Sequence, residues 1–90
     1  MSNISIANRL LEVCRKYEQN DLSLQEFQSD ICAHGSALEG LGKEWDEMLN
    51  GLDSECELIL YMEDSSDHHL LGLKVSEKLR HYLEQRLDSL

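Results

Sequence analysis

Residues 3–19 read Asn3-Ile4-Ser5-Ile6-Ala7-Asn8-Arg9-Leu10-Leu11-Glu12-Val13-Cys14-Arg15-Lys16-Tyr17-Glu18-Gln19. Their spacing decides the fold class. Ile6, Ala7, Leu10, Leu11, Val13, Cys14 and Tyr17 recur at steps of three and four, which is the stripe of an amphipathic helix with one face for a core. Asn3 or Ser5 offers an oxygen to cap its start. Asn20-Asp21 supplies a turn after it.

The same grammar continues along the chain. Ser23-Leu24-Gln25-Glu26 is a capping box, with Leu22 placed to staple onto Phe27. Leu24, Phe27, Ile31 and Cys32 mark a second buried face. His34-Gly35 is expected to end that helix, with Gly35 in the left-handed cap position. Gly35, Gly40 and Gly42 then gather in a loop with one helical turn around Ala37-Leu38. Trp45, Met48, Leu49 and Leu52 form a third face. Asn50-Gly51 is a candidate interruption before a new start at Asp53 or Ser54, so residues 44–64 read as one kinked helix or as two. SSDHHLLG (65–72) reads as a loop with a bend at Gly72. Leu73, Val75, Leu79, Tyr82, Leu83 and Leu87 form the last stripe, on a helix of about residues 73–88. Lys78, Arg80, His81 and Arg86 fall in its middle and last turns, where cations suit the helix dipole.

Four amphipathic segments with short connections predict an all-α fold, a compact antiparallel four-helix bundle, in a single domain over residues 1–90. The chain has no proline, which favours the same answer, and only 6% aromatic residues. Its core must therefore be mostly Leu, Ile, Val, Ala and Met. Cys14, Cys32 and Cys56 are odd in number and form no CxxC, so neither a zinc site nor a redox pair is expected. Three apolar-flanked cysteines fit a reducing, cytoplasmic compartment. No signal-peptide pattern and no apolar run of about 18–20 residues is present, so no membrane segment is expected.

Charge narrows the function. The net charge is −10, from 8 basic and 18 acidic residues. Such a chain repels nucleic-acid phosphates and anionic membranes, and its natural partners are basic surfaces. The acids are also clustered. Residues 39–67 hold ten of them against one base, Lys43, and the other 61 residues are nearly neutral. Solubility is better served by interspersed signs, so the cluster reads as a docking surface for a strongly basic partner, with a plain solvated face as the alternative. Its candidate contacts are Asp53, Glu55, Glu57, Glu63, Asp64 and Asp67, with Tyr61 as an aromatic anchor.

Rival chemistries fit poorly. His68-His69 beside Asp64 and Asp67 lacks the ligand spacing of a metal site. Asp53-x-Glu55-x-Glu57 lacks the central Gly and terminal Glu of a calcium loop. Cys32 and His34 point about 200° apart on a helix, so they make a weak nucleophile pair. Glu63 and Asp67 would share a face at i and i+4 if the helix ran on, but acid–base work also needs a pocket. No Gly-rich phosphate loop is present. A binding protein without cofactor or metal is expected, not an enzyme. A small acidic adaptor for some other basic protein is the alternative reading.

The stretches LSLQEFQSDICAHGSAL (22–38), CELILYMEDSSD (56–67) and GLKVSEKLRHYLEQ (72–85) resemble the colicin D immunity protein family, which includes immunity proteins of some contact-dependent growth inhibition systems. The resemblance implies a four-helix protein that binds a cognate nuclease toxin domain, basic and RNA-cleaving, as a monomer in a 1:1 complex. It implies that acids near the third helix and the following loop block the toxin's active site. Here that segment is Glu57 through Asp67. Glu63 matches the family's acid at the helix end most directly, and Asp64 and Asp67 take the place of further acids. The loop is shorter than in the colicin D case.

Overall fold

Ser23 and Glu26 show how directly local chemistry sets the first boundaries. Ser23 Oγ accepts from the Glu26 N–H at 3.1 Å, and the Glu26 carboxylate accepts from the Ser23 N–H at 3.0 Å. Two otherwise orphaned donors are thereby satisfied at one helix start. Ser23→Ala should lower stability by about 1 kcal/mol, measurable by urea unfolding. The bonds from Ser23 also hold the Glu26 carboxyl below the usual carboxylate range. A depressed carboxylate stabilises the fold above its unfolded pKa and loses that contribution as pH falls through its folded one. Glu26→Gln should therefore flatten the acid limb of the stability profile slightly.

The structure, a computed structural model, describes residues 2–90. It is an all-α four-helix bundle of α1 (Asn3–Glu18), α2 (Leu24–Gly35), α3 (Gly42–Met62) and α4 (His68–Arg86). Short 3-10 turns at Ser65–Asp67 and Leu87–Ser89 flank α4. Each helix packs on its sequence neighbours, and α4 closes the ring against α1. The radius of gyration is 12.5 Å, against about 12 Å for a compact chain of this length. Leu10, Tyr17, Phe27, Ile31, Leu52, Leu79 and Leu83 are fully buried. Each such side chain contributes roughly 1.5–3 kcal/mol of apolar burial.

Several boundaries differ from expectation, each for a packing reason. The cap of α1 is Ser2, whose hydroxyl accepts from the Ser5 N–H at 3.2 Å. Asn3 serves elsewhere: its side chain donates to the Glu39 carbonyl and accepts from the Glu39 N–H, clipping the α2–α3 loop to α1. Gly35 does end α2, but not in the left-handed region, where the glycines are Gly40 and Gly42. Its missing Cβ makes room for α3: a Cβ there would stand 2.9 Å from Leu49 and 3.1 Å from Trp45. Trp45 Nε1 donates to the Gly35 carbonyl at 2.9 Å, locking that approach.

Residues 42–62 form one uninterrupted helix. A glycine costs a helix interior about 1 kcal/mol, which the burial of Trp45, Leu52 and Cys56 outweighs, and Gly51 lies on the solvent side. The expected loop over 65–72 is mostly helix, because α4 starts at His68. Gly72 is no bend. It is buried in the second turn of α4, where Tyr17 lies so close that an added Cβ would stand 2.1 Å from its hydroxyl oxygen.

Candidate functional site

The expected contact residues separate into two groups. Asp53 and Glu57 turn inward toward α2, where the buried Gln28 amide donates to Asp53 Oδ1 at 2.9 Å and to Glu57 Oε1 at 2.8 Å. The Cys32 thiol also donates to Asp53 Oδ1, at 3.2 Å. Burial first, and then that hydrogen bond to Asp53, pushes Cys32 up to about 11. The thiol is therefore protonated at neutral pH and is no ready nucleophile. Glu55 leans toward α4 and meets Lys78 Nζ at 2.5 Å. These three acids are half-buried and internally engaged.

Tyr61, Glu63, Asp64 and Asp67 form the second group. All are exposed where α3 ends and α4 begins, and Tyr61 is 81% accessible. Glu63 is the C-cap of α3 in an extended conformation, so it does not share a helix face with Asp67 as a continued helix would require. Its position opposes the α3 dipole, and no basic residue lies in that last turn. His68 Nε2 donates to the Glu63 carbonyl at 3.0 Å and thereby satisfies one exposed helix-end acceptor. Asp64 and Asp67 are different. They occupy the N-cap positions of the 3-10 turn and of α4, without a side-chain capping bond, where negative charge is favoured by the dipole. Of these three acids, Glu63 is the one set against a helix dipole.

The bundle leaves most of the clustered charge unneutralised. Of the ten acids in residues 39–67, Glu44 pairs with Arg86 and Glu55 with Lys78. The other eight meet no cation within ion-pair distance among the described residues. Elsewhere on α4, Arg80 bonds Glu84 at 3.2 Å, and Arg86 also lies 3.9 Å over the Tyr82 ring.

A second feature escaped the reading of charge. Leu58 is 61% exposed, Met62 74% and Leu70 68%. Leu58 and Met62 border a groove of about 450 Å³ between α3 and α4, floored by Ile59, Leu71 and Val75. Its α3 wall repeats at 55, 58, 59, 62 and 63, and its α4 wall at 71, 74, 75 and 78. Both are helical stripes, so the signal was present in the spacing. It was masked because α3 carries a second, fully buried stripe through Trp45, Leu52 and Cys56.

The His69 ring lies tilted against Tyr17, with centroids 5.0 Å apart, whereas His68 turns to the Glu63 carbonyl. No group of three or more His, Cys, Asp and Glu side chains among the described residues is placed to hold a metal ion. No helix among them is long and apolar enough to cross a membrane. No protein-family model, curated protein or solved structure matches this chain.

Proposed function

We propose that this chain is an immunity protein, a 1:1 inhibitor of a basic, RNA-cleaving toxin domain in the bacterial cytoplasm. The observation that carries the reading is the set of eight carboxylates in residues 39–67 that have no ion-pair partner among the described residues, ending in the exposed Glu63, Asp64 and Asp67 beside Tyr61. A nuclease cleft that binds phosphates is lined with Lys, Arg or His. Carboxylates placed against it substitute for substrate phosphates and exclude the RNA. The resemblance to the colicin D immunity family supports the same target.

The free protein holds Glu63 against a helix dipole, at a cost of about 0.3–1 kcal/mol. A cationic partner converts that cost into a contact. Complementary charge would raise the association rate toward roughly 10⁸–10⁹ M⁻¹s⁻¹ at low salt. Speed matters here, because toxin destroys RNA for as long as it is free. Asp53, Glu55 and Glu57 are already engaged with Gln28, Cys32 and Lys78, so they contribute to the field more than to direct contacts.

The test is co-purification with the protein encoded beside this chain's gene, with mass measured by light scattering. A 1:1 complex with a basic nuclease domain is expected, its association rate falling steeply as salt is raised. A stable complex with a basic protein that cleaves no RNA would replace this reading with the adaptor one.

A further inference from the structure

The groove between α3 and α4 lies next to the unpaired acids and has a different character. Its floor of Ile59, Leu71 and Val75 is apolar. Its charged rim is balanced, with Glu55 bonded to Lys78 at 2.5 Å and with Glu63 and Lys74 also lining the groove. The aliphatic stem of Lys74 adds to the apolar wall. A balanced rim over an apolar floor selects a neutral, bulky group. Beyond the Glu63 side lie Asp64 and Asp67, which meet no cation within ion-pair distance among the described residues.

We infer that this groove receives an apolar side chain carried on a basic amphipathic segment of the partner, whose flanking cations meet Glu63, Asp64 and Asp67. The partner's basic character rests on the function proposed above. Charge complementarity selects this occupant over a second copy of the chain. Two chains of net charge −10 would have to bring their acidic windows together around one groove. The interface then has two parts. The acids govern encounter, and the groove governs residence, because a buried apolar anchor acts on dissociation. Leu58 and Met62, exposed in the free protein, become its lips.

The probe is a short amphipathic peptide of repeating Lys-Leu-Leu-Lys, compared with one in which serine replaces leucine. Both are titrated into the full chain labelled for NMR at methyl groups and at backbone amides. The leucine peptide should shift the methyls of Ile59, Met62, Leu71 and Val75 and bind at least about tenfold more tightly. The serine peptide should shift only backbone signals of residues 63–67. The double variant L58E/M62E, altered at two exposed positions, should lose the tenfold advantage and melt like the parent. Equal affinity of the two peptides, or leucine-peptide shifts confined elsewhere, overturns the inference. Groove shifts that grow with protein concentration and no peptide would assign the groove to a second copy and overturn it as well. Toxin neutralisation separates this idea from the function it rests on. If E63K/D64K/D67K loses neutralisation while L58E/M62E keeps it in full with unchanged dissociation, the groove fails alone. If the groove binds the leucine peptide but no nuclease is neutralised, the function fails alone.

Discussion

Replacing Gly72 with alanine should destabilise the protein by about 3 kcal/mol, the upper end of the usual cost of overpacking. On helix propensity alone the change should be favourable by roughly 1 kcal/mol. The sign is reversed by Tyr17. Its ring is fully buried, stacked on Phe27 at a centroid distance of 4.5 Å and set against His69 on the other helix. Its hydroxyl donates to the carbonyls of His68 and His69, at 3.0 and 2.9 Å, so it pins the first turn of α4 to α1. Burial pushes that phenol up to about 12, which keeps the donor protonated across the physiological range. An alanine Cβ would stand 2.1 Å from the Tyr17 oxygen, 2.8 Å from Cζ and 2.9 Å from Leu24. A wedged aromatic ring has little room to retreat. For a domain of this size the melting temperature should fall by roughly 12–24 °C. Tyr17→Phe alone should cost about 1 kcal/mol for the lost hydrogen bond. In the Tyr17→Phe background Gly72→Ala should cost less than in the parent, by about 1 kcal/mol, because the closest atom is gone. An additive cycle would mean that the helices are not held by this contact.

Reversing the three terminal acids should have the largest effect on function. Glu63→Lys, Asp64→Lys and Asp67→Lys together should weaken toxin binding by at least about a hundredfold, with most of the loss in the association rate. Stability should change far less. Asp64 and Asp67 support the α4 N-terminus, so their reversal costs about 0.3–1 kcal/mol each. Glu63 opposes the α3 C-terminus, so its reversal returns a similar amount. The single change Glu63→Lys is the most informative of the three. It should leave the melting temperature equal or higher and still slow association. A residue whose replacement improves the fold and harms binding is held for binding. Kinetics at two salt concentrations, with circular dichroism as the control, distinguish this from simple unfolding.

What the sequence made legible follows from the range of the interaction that decides each feature. The Ser23–Glu26 capping box and the four apolar stripes depend on residues three or four apart, and they form as read. Gly72 looked like a bend because nothing local marks a glycine as a contact point. Its reason is Tyr17, on another helix. Gly35 is the same case, with Trp45 and Leu49 as the distant partners. Asn50-Gly51 looked like a break because the burial of Trp45, Leu52 and Cys56 on one face cannot be weighed from the dipeptide. Among the acids, charge counting found the cluster but not its direction. Asp53 and Glu57 turn inward because Gln28 and Cys32 lie across from them on α2, a pairing set by helix packing. Glu63, Asp64 and Asp67 stay exposed because the chain reverses there.

The most direct test of the central claim is a titration of RNA cleavage by the neighbouring-gene nuclease with this chain. Cleavage should fall linearly and reach zero at one equivalent, and E63K/D64K/D67K should inhibit far less at the same ratio. Full cleavage in the presence of excess parent chain would contradict the account.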